Sequence, residues 1–164
     1  MPIFGTKDKE GNTSINLMMG EGIASIQKGM AINVSMMDDH LFIKQRIGKA
    51  APASLRYDQI TNVEIINEKE IIEKGKSVVG RAVLGNIILG PLGALVGGMS
   101  GTGSKKKVSY DNYMVINYKS SADEEIKVIT FQVVGASMGT SKFLSELKQR
   151  ANIASVDSTA TIEL

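Results

Sequence analysis

The fold is decided by the stretch Met30-Ala31-Ile32-Asn33-Val34-Ser35-Met36, followed by Met37-Asp38-Asp39 and then His40-Leu41-Phe42-Ile43-Lys44. Ile32, Val34 and Met36 alternate with other residues at the period of a strand that buries one face. The two aspartates favour a turn, because Asp side chains accept hydrogen bonds from nearby backbone N–H groups. The stretch therefore predicts an antiparallel β-hairpin.

Similar patterns flank this hairpin on both sides. Strand-like alternation or β-branched runs occur over residues 53–67, 110–118 and 126–133. The period then becomes helical, because Phe143, Leu144, Leu147 and Ala151 fall on one stripe. Thr140 or Ser141 is predicted to cap the start of this helix.

A single amphipathic helix must bury its apolar face, and an open sheet end is the simplest partner. We therefore predict a mostly β (α+β) fold, in which a C-terminal helix caps a curved antiparallel sheet or small barrel. The expected organisation is a flexible N-terminal arm (1–13), one domain (14–152) containing an insertion (75–107), and a polar C-terminal tail (153–164).

The chain resembles bacterial pleckstrin-homology-like (PH-like, GRAM-like) domains. The resemblance covers about residues 15–152 and is carried by Met30–Ile43, by Leu55–Val63, and by the last strand with its helix over Phe143–Ala151. Within Leu55–Val63 the pattern is apolar-x-Tyr-x-x-Ile-x-x-Val, which recurs in that family. The resemblance implies a PH-like fold and, as in several bacterial members, a glycine-rich apolar insert before the later strands.

The chain departs from this family in two respects. Its terminal helix has no Trp, which many eukaryotic PH domains carry there. Lys28, Lys44 and Arg46 echo the basic residues that such domains use for phosphoinositides, but the strand pattern does not place them around one hairpin loop. We do not carry inositol-lipid binding over to this chain.

The insertion carries the most specific functional signal. Gly93, Gly97 and Gly101 recur every four residues, so a helix would present a smooth groove to another backbone. No residue between Ala82 and Met99 is charged. We predict a helical hairpin, with two short helices broken at Gly90-Pro91, or one kinked helix. The predicted interaction or membrane-contacting residues are Gly85, Ile88, Leu89, Gly90, Leu92, Gly93, Leu95, Gly97, Gly101, Lys105, Lys106 and Lys107.

Three interpretations of this segment remain open: packing against protein, contact with a membrane, and a flexible loop. Under the first, the chain is an interaction module that forms a homo-oligomer or binds a protein partner. Under the second, it is a peripheral membrane protein that inserts residues 82–99 into an anionic bilayer, with the lysines at the headgroups. Eighteen residues make a helix of about 27 Å, slightly shorter than a hydrocarbon core.

Composition and charge limit the other function classes. Residues 74–107 carry six basic and no acidic residues, whereas the net charge of the whole chain is only +2. The sparse aromatic residues do not suggest a base-stacking surface, and we expect no nucleic-acid partner. The chain has no cysteine and no apolar signal-peptide core, which favours a cytoplasmic protein, with the membrane periphery as a further location.

No catalytic or metal-binding motif stands out. His40 is the only histidine, so the usual His and Cys ligands of transition metals are missing. Gly101-Thr102-Gly103-Ser104-Lys105 has the wrong order for a phosphate-binding loop, which needs Gly-Lys followed by Ser or Thr. The sequence predicts a non-enzymatic protein with no cofactor and no metal.

Overall fold

The computed structural model describes residues 6–75, 81–84, 87–91, 111–134 and 138–153. Within these ranges the chain forms ten strands, one short 3-10 helix and two α-helices. The first six strands are β1 (Thr6–Lys7), β2 (Thr13–Glu21), β3 (Ala31–Met36), β4 (His40–Gln45), β5 (Ala53–Arg56) and, after a 3-10 helix (Tyr57–Gln59), β6 (Ile60–Asn67). The remaining elements are α1 (Glu68–Gly75), β7 (Arg81–Leu84), β8 (Ile87–Pro91), β9 (Asn112–Lys119), β10 (Ile126–Val133) and α2 (Met138–Arg150).

Seven strands form one antiparallel sheet in the order β5-β4-β3-β2-β10-β9-β6. β1, which lies within the segment predicted as an arm, pairs with the start of β2. The decisive hairpin is confirmed: Ile32 pairs with Gln45 and Met36 with Leu41, and the aspartates lie in the turn between β3 and β4. β7 and β8 form a separate two-stranded sheet.

The seven-stranded sheet is strongly curved. If it were flat, its edge strands β5 and β6 would lie about 29 Å apart, at about 4.8 Å per strand. These two edges are joined only through Tyr57–Gln59, a connection that reaches at most about 14 Å. The sheet must therefore bend until its edges approach each other, although no pairing joins β5 to β6 in the described part of the chain. Of the two predicted forms, the curved sheet is confirmed: in the described residues the sheet stays open and does not close into a barrel.

The concave face holds the main core. Alternate residues of the seven strands point into it, and the most deeply buried include Ile32, Leu41, Ile43, Val63, Met114, Ile116 and Phe131. α2 closes this core with Phe143 and Leu147, which are almost fully buried. Its C-terminal end is held by ion pairs and hydrogen bonds, such as Lys148 Nζ to the Glu64 carboxylate at 3.0 Å.

The predicted C-terminal helix is thus confirmed, but its predicted start is wrong. The helix begins at Met138, so Thr140 lies inside the first turn, where it is buried, and Ser141 follows it. Met is a good helix former and extends the helix past the residues whose side chains suggested a cap. Residues 135–137 lie outside the described part of the chain.

The convex face of the sheet is divided into two regions. Over β6, β9 and β10 it is covered by a second core that contains Ile66, Ile71, Ile87, Tyr113 and Val115. Over β2, β3 and β4 it carries mainly polar side chains. The first region anchors the base of the insertion, and the second forms an open groove.

Candidate functional site

The insertion leaves the sheet and returns to it at one point. Asn67 and Asn112 are paired at the ends of β6 and β9, so the chain between them is a side excursion from one hairpin. The Glu68 amide donates to the Asp111 carbonyl at 2.8 Å, and the Asp111 amide donates to the Glu68 carboxylate at 3.2 Å. Asn67 Nδ2 donates to Asn112 Oδ1 at 3.0 Å. These bonds close the base of the insertion without interrupting the sheet.

The first element of the excursion between Asn67 and Asn112 is α1, which lies almost entirely before the predicted insertion (75–107) and which our reading of the sequence did not predict. The Asn67 side chain accepts a hydrogen bond from the Lys69 amide at 3.0 Å, the geometry of an N-cap. Glu68 and Glu70 lie in the first turn, where they suit the positive end of the helix dipole. An Asn followed by Glu-Lys-Glu is a helix-start signal, and it could have been used to find this helix.

The next two elements correct the first arm of the predicted helical hairpin, whereas its second arm, after Pro91, lies outside the described residues. Residues 81–84 and 87–91 are the antiparallel strands β7 and β8, with Leu84 paired to Ile87 and Arg81 to Pro91. Short apolar runs do not distinguish a buried helix from a buried strand, and Val83, Ile87 and Ile88 are β-branched. The predicted break at Gly90-Pro91 coincides with the last two residues of β8. We call α1, β7 and β8 together the stem.

Asn117 binds the stem to the sheet through both ends of its side-chain amide. Asn117 Nδ2 donates to the Ile88 carbonyl at 2.7 Å, and the Ile88 amide donates to Asn117 Oδ1 at 2.7 Å. Asn117 is only 2% exposed. One side chain of β9 thus satisfies both backbone groups of a residue in β8, as a neighbouring strand would do. A buried amide left without partners would be costly, so the arrangement favours the docked stem.

The second core packs around this contact. Ile71 of α1 and Ile87 of β8 are essentially inaccessible, and they meet Ile66, Tyr113 and Val115 on the convex face. Burial raises the pKa of Tyr113, and the nearby carboxylates of Glu68 and Asp111 raise it further. A tyrosine phenol is neutral at physiological pH even without this shift, so Tyr113 enters the apolar contact uncharged.

Asn117 was missed at the level of sequence because it was treated only as one position of the predicted strand over residues 110–118. A signal was present, since Asn is depleted in strands and this one lies two residues after Val115 and one after Ile116. A polar amide in an otherwise apolar strand needs a partner when it is buried. The identity of that partner, a backbone segment about thirty residues away, could not be read from the pattern.

The predicted interaction residues fall into two groups. Ile88, Leu89 and Gly90 lie in β8, and Ile88 is half-buried with its backbone bonded to Asn117. The others lie outside the described residues, and the structure does not test their grouping. They are Gly85, Leu92, Gly93, Leu95, Gly97, Gly101, Lys105, Lys106 and Lys107.

In the described ranges, neither α1 nor α2 is long and apolar enough to cross a membrane. The lone His40 makes a 2.6 Å contact with the carboxylate of its neighbour Asp39 in the β3–β4 turn. That contact lowers the pKa of Asp39.

Comparison with protein families gives one match. A family model described as "Glycine zipper containing PH domain" matches residues 22–134. The matched region contains the decisive hairpin, the stem and Asn117, and it excludes β1, β2 and α2. Comparisons with curated proteins and with solved structures gave no match.

Proposed function

Because the chain belongs to the family of glycine-zipper-containing PH domains, we propose that it is an interaction module that assembles with a second copy of itself through its glycine-rich insertion. The observation that carries this proposal is the pair of hydrogen bonds between Asn117 and Ile88. They join the stem to β9, the strand next to the edge strand β6. The segment that follows Pro91 is therefore carried by a fixed support.

A fixed support matters for association. A contact element that is already oriented loses less conformational freedom on binding, so more of its contact energy appears as affinity. The stem is oriented by Asn117, by the second core around Ile71 and Ile87, and by the Glu68–Asp111 closure. An element that only needed to be a loose linker would not require these contacts.

The sequence beyond the stem supplies the contact surface in this proposal. Gly93, Gly97 and Gly101 recur every four residues among apolar side chains. In a helix this spacing lets two backbones approach closely, and the absence of charge between Ala82 and Met99 removes the need to desolvate ions. Self-assembly follows from this pattern more directly than binding of an unrelated partner, because the same stripe supplies both surfaces.

In the bilayer alternative, the segment that can enter the membrane is shorter than residues 82–99. Ile87 is covered by the second core, and the backbone of Ile88 is bonded to Asn117. These residues cannot enter lipid unless the stem detaches. The part of that range left after Pro91 would make a helix of only about 12 Å, which fits an interfacial position and not a span.

The test is the molar mass of the purified chain in detergent-free buffer, measured by sedimentation and light scattering over a range of concentrations. We expect a mass above that of the monomer, and we expect Gly97→Leu to shift it towards the monomer. Gly98→Leu is the matched control, because it makes the same change one position away from the four-residue stripe. It should leave the assembly intact.

A second experiment measures whether the chain sediments with liposomes of neutral or of anionic composition. A chain that is monomeric at all concentrations, yet sediments with anionic vesicles unless residues 92–107 are removed, would replace self-assembly by the bilayer alternative. A monomer without lipid binding would refute both.

A further inference from the structure

A second candidate site lies on the convex face, away from the stem. A groove of about 520 Å³ opens between the β1–β2 turn and the outer face of β2, β3 and β4. Its lining residues are Lys7, Asp8, Lys9, Glu10, Ser14, Asn16, Asn33, Ser35, Met37, Phe42, Lys44 and Arg46. None of the groove residues was predicted as a site.

The groove is rimmed by cations that lack carboxylate partners. Lys7 and Lys9 stand on the β1 side, and Lys44 and Arg46 on the β4 side. Among the described residues, none of the four forms an ion pair. Four other cations of the described residues do form ion pairs, for example Arg56 with Asp58 at 2.7 Å. Lys28, which the sequence grouped with Lys44 and Arg46, does not line the groove.

The carboxylate of Asp8, one of the two acidic groove residues, is already hydrogen-bonded within the β1–β2 turn. The Asp8 carboxylate accepts hydrogen bonds from the Glu10 amide at 2.9 Å, and from the Asn12 amide at 2.8 Å and side chain at 3.2 Å. The slight burial of Asp8 opposes ionisation, but these bonds outweigh it and lower its pKa. Glu10 is exposed. Four cations face these two carboxylates, which leaves the groove with a local excess of positive charge.

The floor of the groove is polar, with an apolar end. Asn33 Nδ2 donates to Asn16 Oδ1 at 3.1 Å, and Ser35 Oγ donates to Asn33 Oδ1 at 2.9 Å. These bonds use the side-chain oxygens of Asn16 and Asn33 and one of the two N–H groups on the Asn33 amide nitrogen. Phe42 and Met37 are half-buried and add apolar surface. The floor thus offers N–H donors together with a place for an apolar side chain.

The two cationic sides are too far apart for one small anion. Ser14 pairs with Ser35 and Ser35 with Phe42, and β1 pairs with β2 on the other side, so the groove crosses four neighbouring strands. Three strand spacings amount to about 14 Å. Residues i and i+4 of an extended peptide point to the same side and are about 13 Å apart. A single phosphate reaches only one side.

We infer that this groove binds an extended acidic peptide segment of a partner protein, with carboxylates at positions i and i+4 and an apolar residue between them. One carboxylate meets Lys7 and Lys9, and the other meets Lys44 and Arg46. The apolar residue lies against Phe42, and the peptide carbonyls accept hydrogen bonds from the floor. Association is fast and salt-dependent, because the cations are exposed.

The experiment is an NMR titration of the full-length ¹⁵N-labelled chain at low ionic strength. The probe is an acetylated and amidated peptide Ser-Glu-Ser-Leu-Ser-Glu-Ser, whose glutamates are four positions apart. The control peptide has the same composition with adjacent glutamates, Ser-Glu-Glu-Leu-Ser-Ser-Ser. We expect the probe to shift the side-chain amides of Asn16 and Asn33 and the backbone amides of β4, and to bind several-fold more tightly than the control.

The double variant Lys44→Ala/Arg46→Ala should weaken the probe about tenfold, since each exposed ion pair contributes modestly. The matched variant Lys69→Ala/Lys119→Ala removes the same charge from exposed positions outside the groove and should have no such effect. The inference is overturned by an absence of shifts, by shifts confined to other surfaces, by equal binding of the two peptides, or by equal effects of the two variants. Inorganic phosphate that matches the probe in site and affinity would also overturn it, in favour of a small-anion site.

Discussion

The contact between Asn117 and Ile88 gives the sharpest test of how the insertion is attached. Asn117→Ala removes both hydrogen bonds, each 2.7 Å long, from a residue that is 2% exposed. The change leaves β9 itself intact, because its pairing with β6 and β10 uses the backbone. The variant therefore acts mainly on the docking of the stem.

The expected magnitude follows from the two bonds. A net hydrogen bond contributes about 1 kcal/mol, and a buried polar group left unpaired costs about 1–3 kcal/mol. If Ile88 stayed in place, both of its backbone groups would be unpaired. We expect this end of the stem to separate from the sheet and bond to water instead, which limits the loss to about 2–3 kcal/mol of unfolding free energy.

Two measurements check this expectation. Urea denaturation gives the unfolding free energy of the full chain, and native-state hydrogen exchange gives the protection of the Ile88 amide. A local loss of about 2 kcal/mol corresponds to exchange about thirty times faster at that amide. Asn16→Ala is the matched control: it makes the same change at an exposed position of β2 and should alter stability by less than about 0.5 kcal/mol.

A carboxylate at the same position gives a test with a defined pH sign. In Asn117→Asp the ionised side chain accepts from the Ile88 amide but cannot donate to its carbonyl, whereas the protonated form does both. Burial raises the folded-state pKa of such a carboxyl above its unfolded value. The variant should therefore gain stability relative to wild type as pH falls, and lose it as pH rises through the unfolded and then the folded pKa.

The reasoning about attachment would be refuted by one combination of results. If Asn117→Ala changes the unfolding free energy by less than about 0.5 kcal/mol and leaves Ile88 exchange unaltered, the two bonds do not hold the stem. The second core around Ile71 would then account for docking by itself.

Three further predictions concern other parts of the fold. Gly22→Ala should destabilise by more than about 2 kcal/mol, because φ is +110° and the new Cβ would clash with the Val128 carbonyl oxygen. Gly11→Ala is the control, since its φ is also positive (+86°) but nothing lies near the new Cβ, and thermal unfolding should show a clearly smaller loss. Ile71→Ala empties the centre of the second core and should cost about 2–5 kcal/mol in urea denaturation. Burial raises the pKa of Tyr57 despite the nearby Arg150 guanidinium. The stability that the neutral phenol contributes is therefore present below the unfolded pKa of about 10 and is lost as pH rises through the folded pKa. Tyr57→Phe should flatten this alkaline loss of stability in pH-dependent denaturation.

Each of these has an outcome that contradicts it. Equal losses for the two glycine variants would mean that the backbone conformation matters and the close approach of β2 to β10 does not. An Ile71→Ala variant as stable as wild type would show that α1 is not packed on the sheet. An unchanged alkaline profile in Tyr57→Phe would assign the loss to other groups, such as Tyr113, whose pKa is also raised by burial.

Local patterns in the sequence were sufficient for the elements that form the main core. Ile32, Val34 and Met36 alternate because one face of β3 is buried, and Phe143 and Leu147 are four residues apart because one face of α2 is buried. Such periodicities reflect the geometry of a single element, so they can be read without knowledge of its neighbours. The hairpin, the later strands and the terminal helix followed from them.

The tertiary structure decided which conformation the stem adopts. Ile87 and Ile88 are compatible with a helix or a strand, and they form a strand because Asn117 and the second core supply partners from β9. The polar groove is likewise produced by four strands brought side by side, with Lys7 and Lys44 far apart in the chain. Contacts between distant segments depend on strand order and sheet curvature, and neither property leaves a periodic trace in the sequence of any one strand.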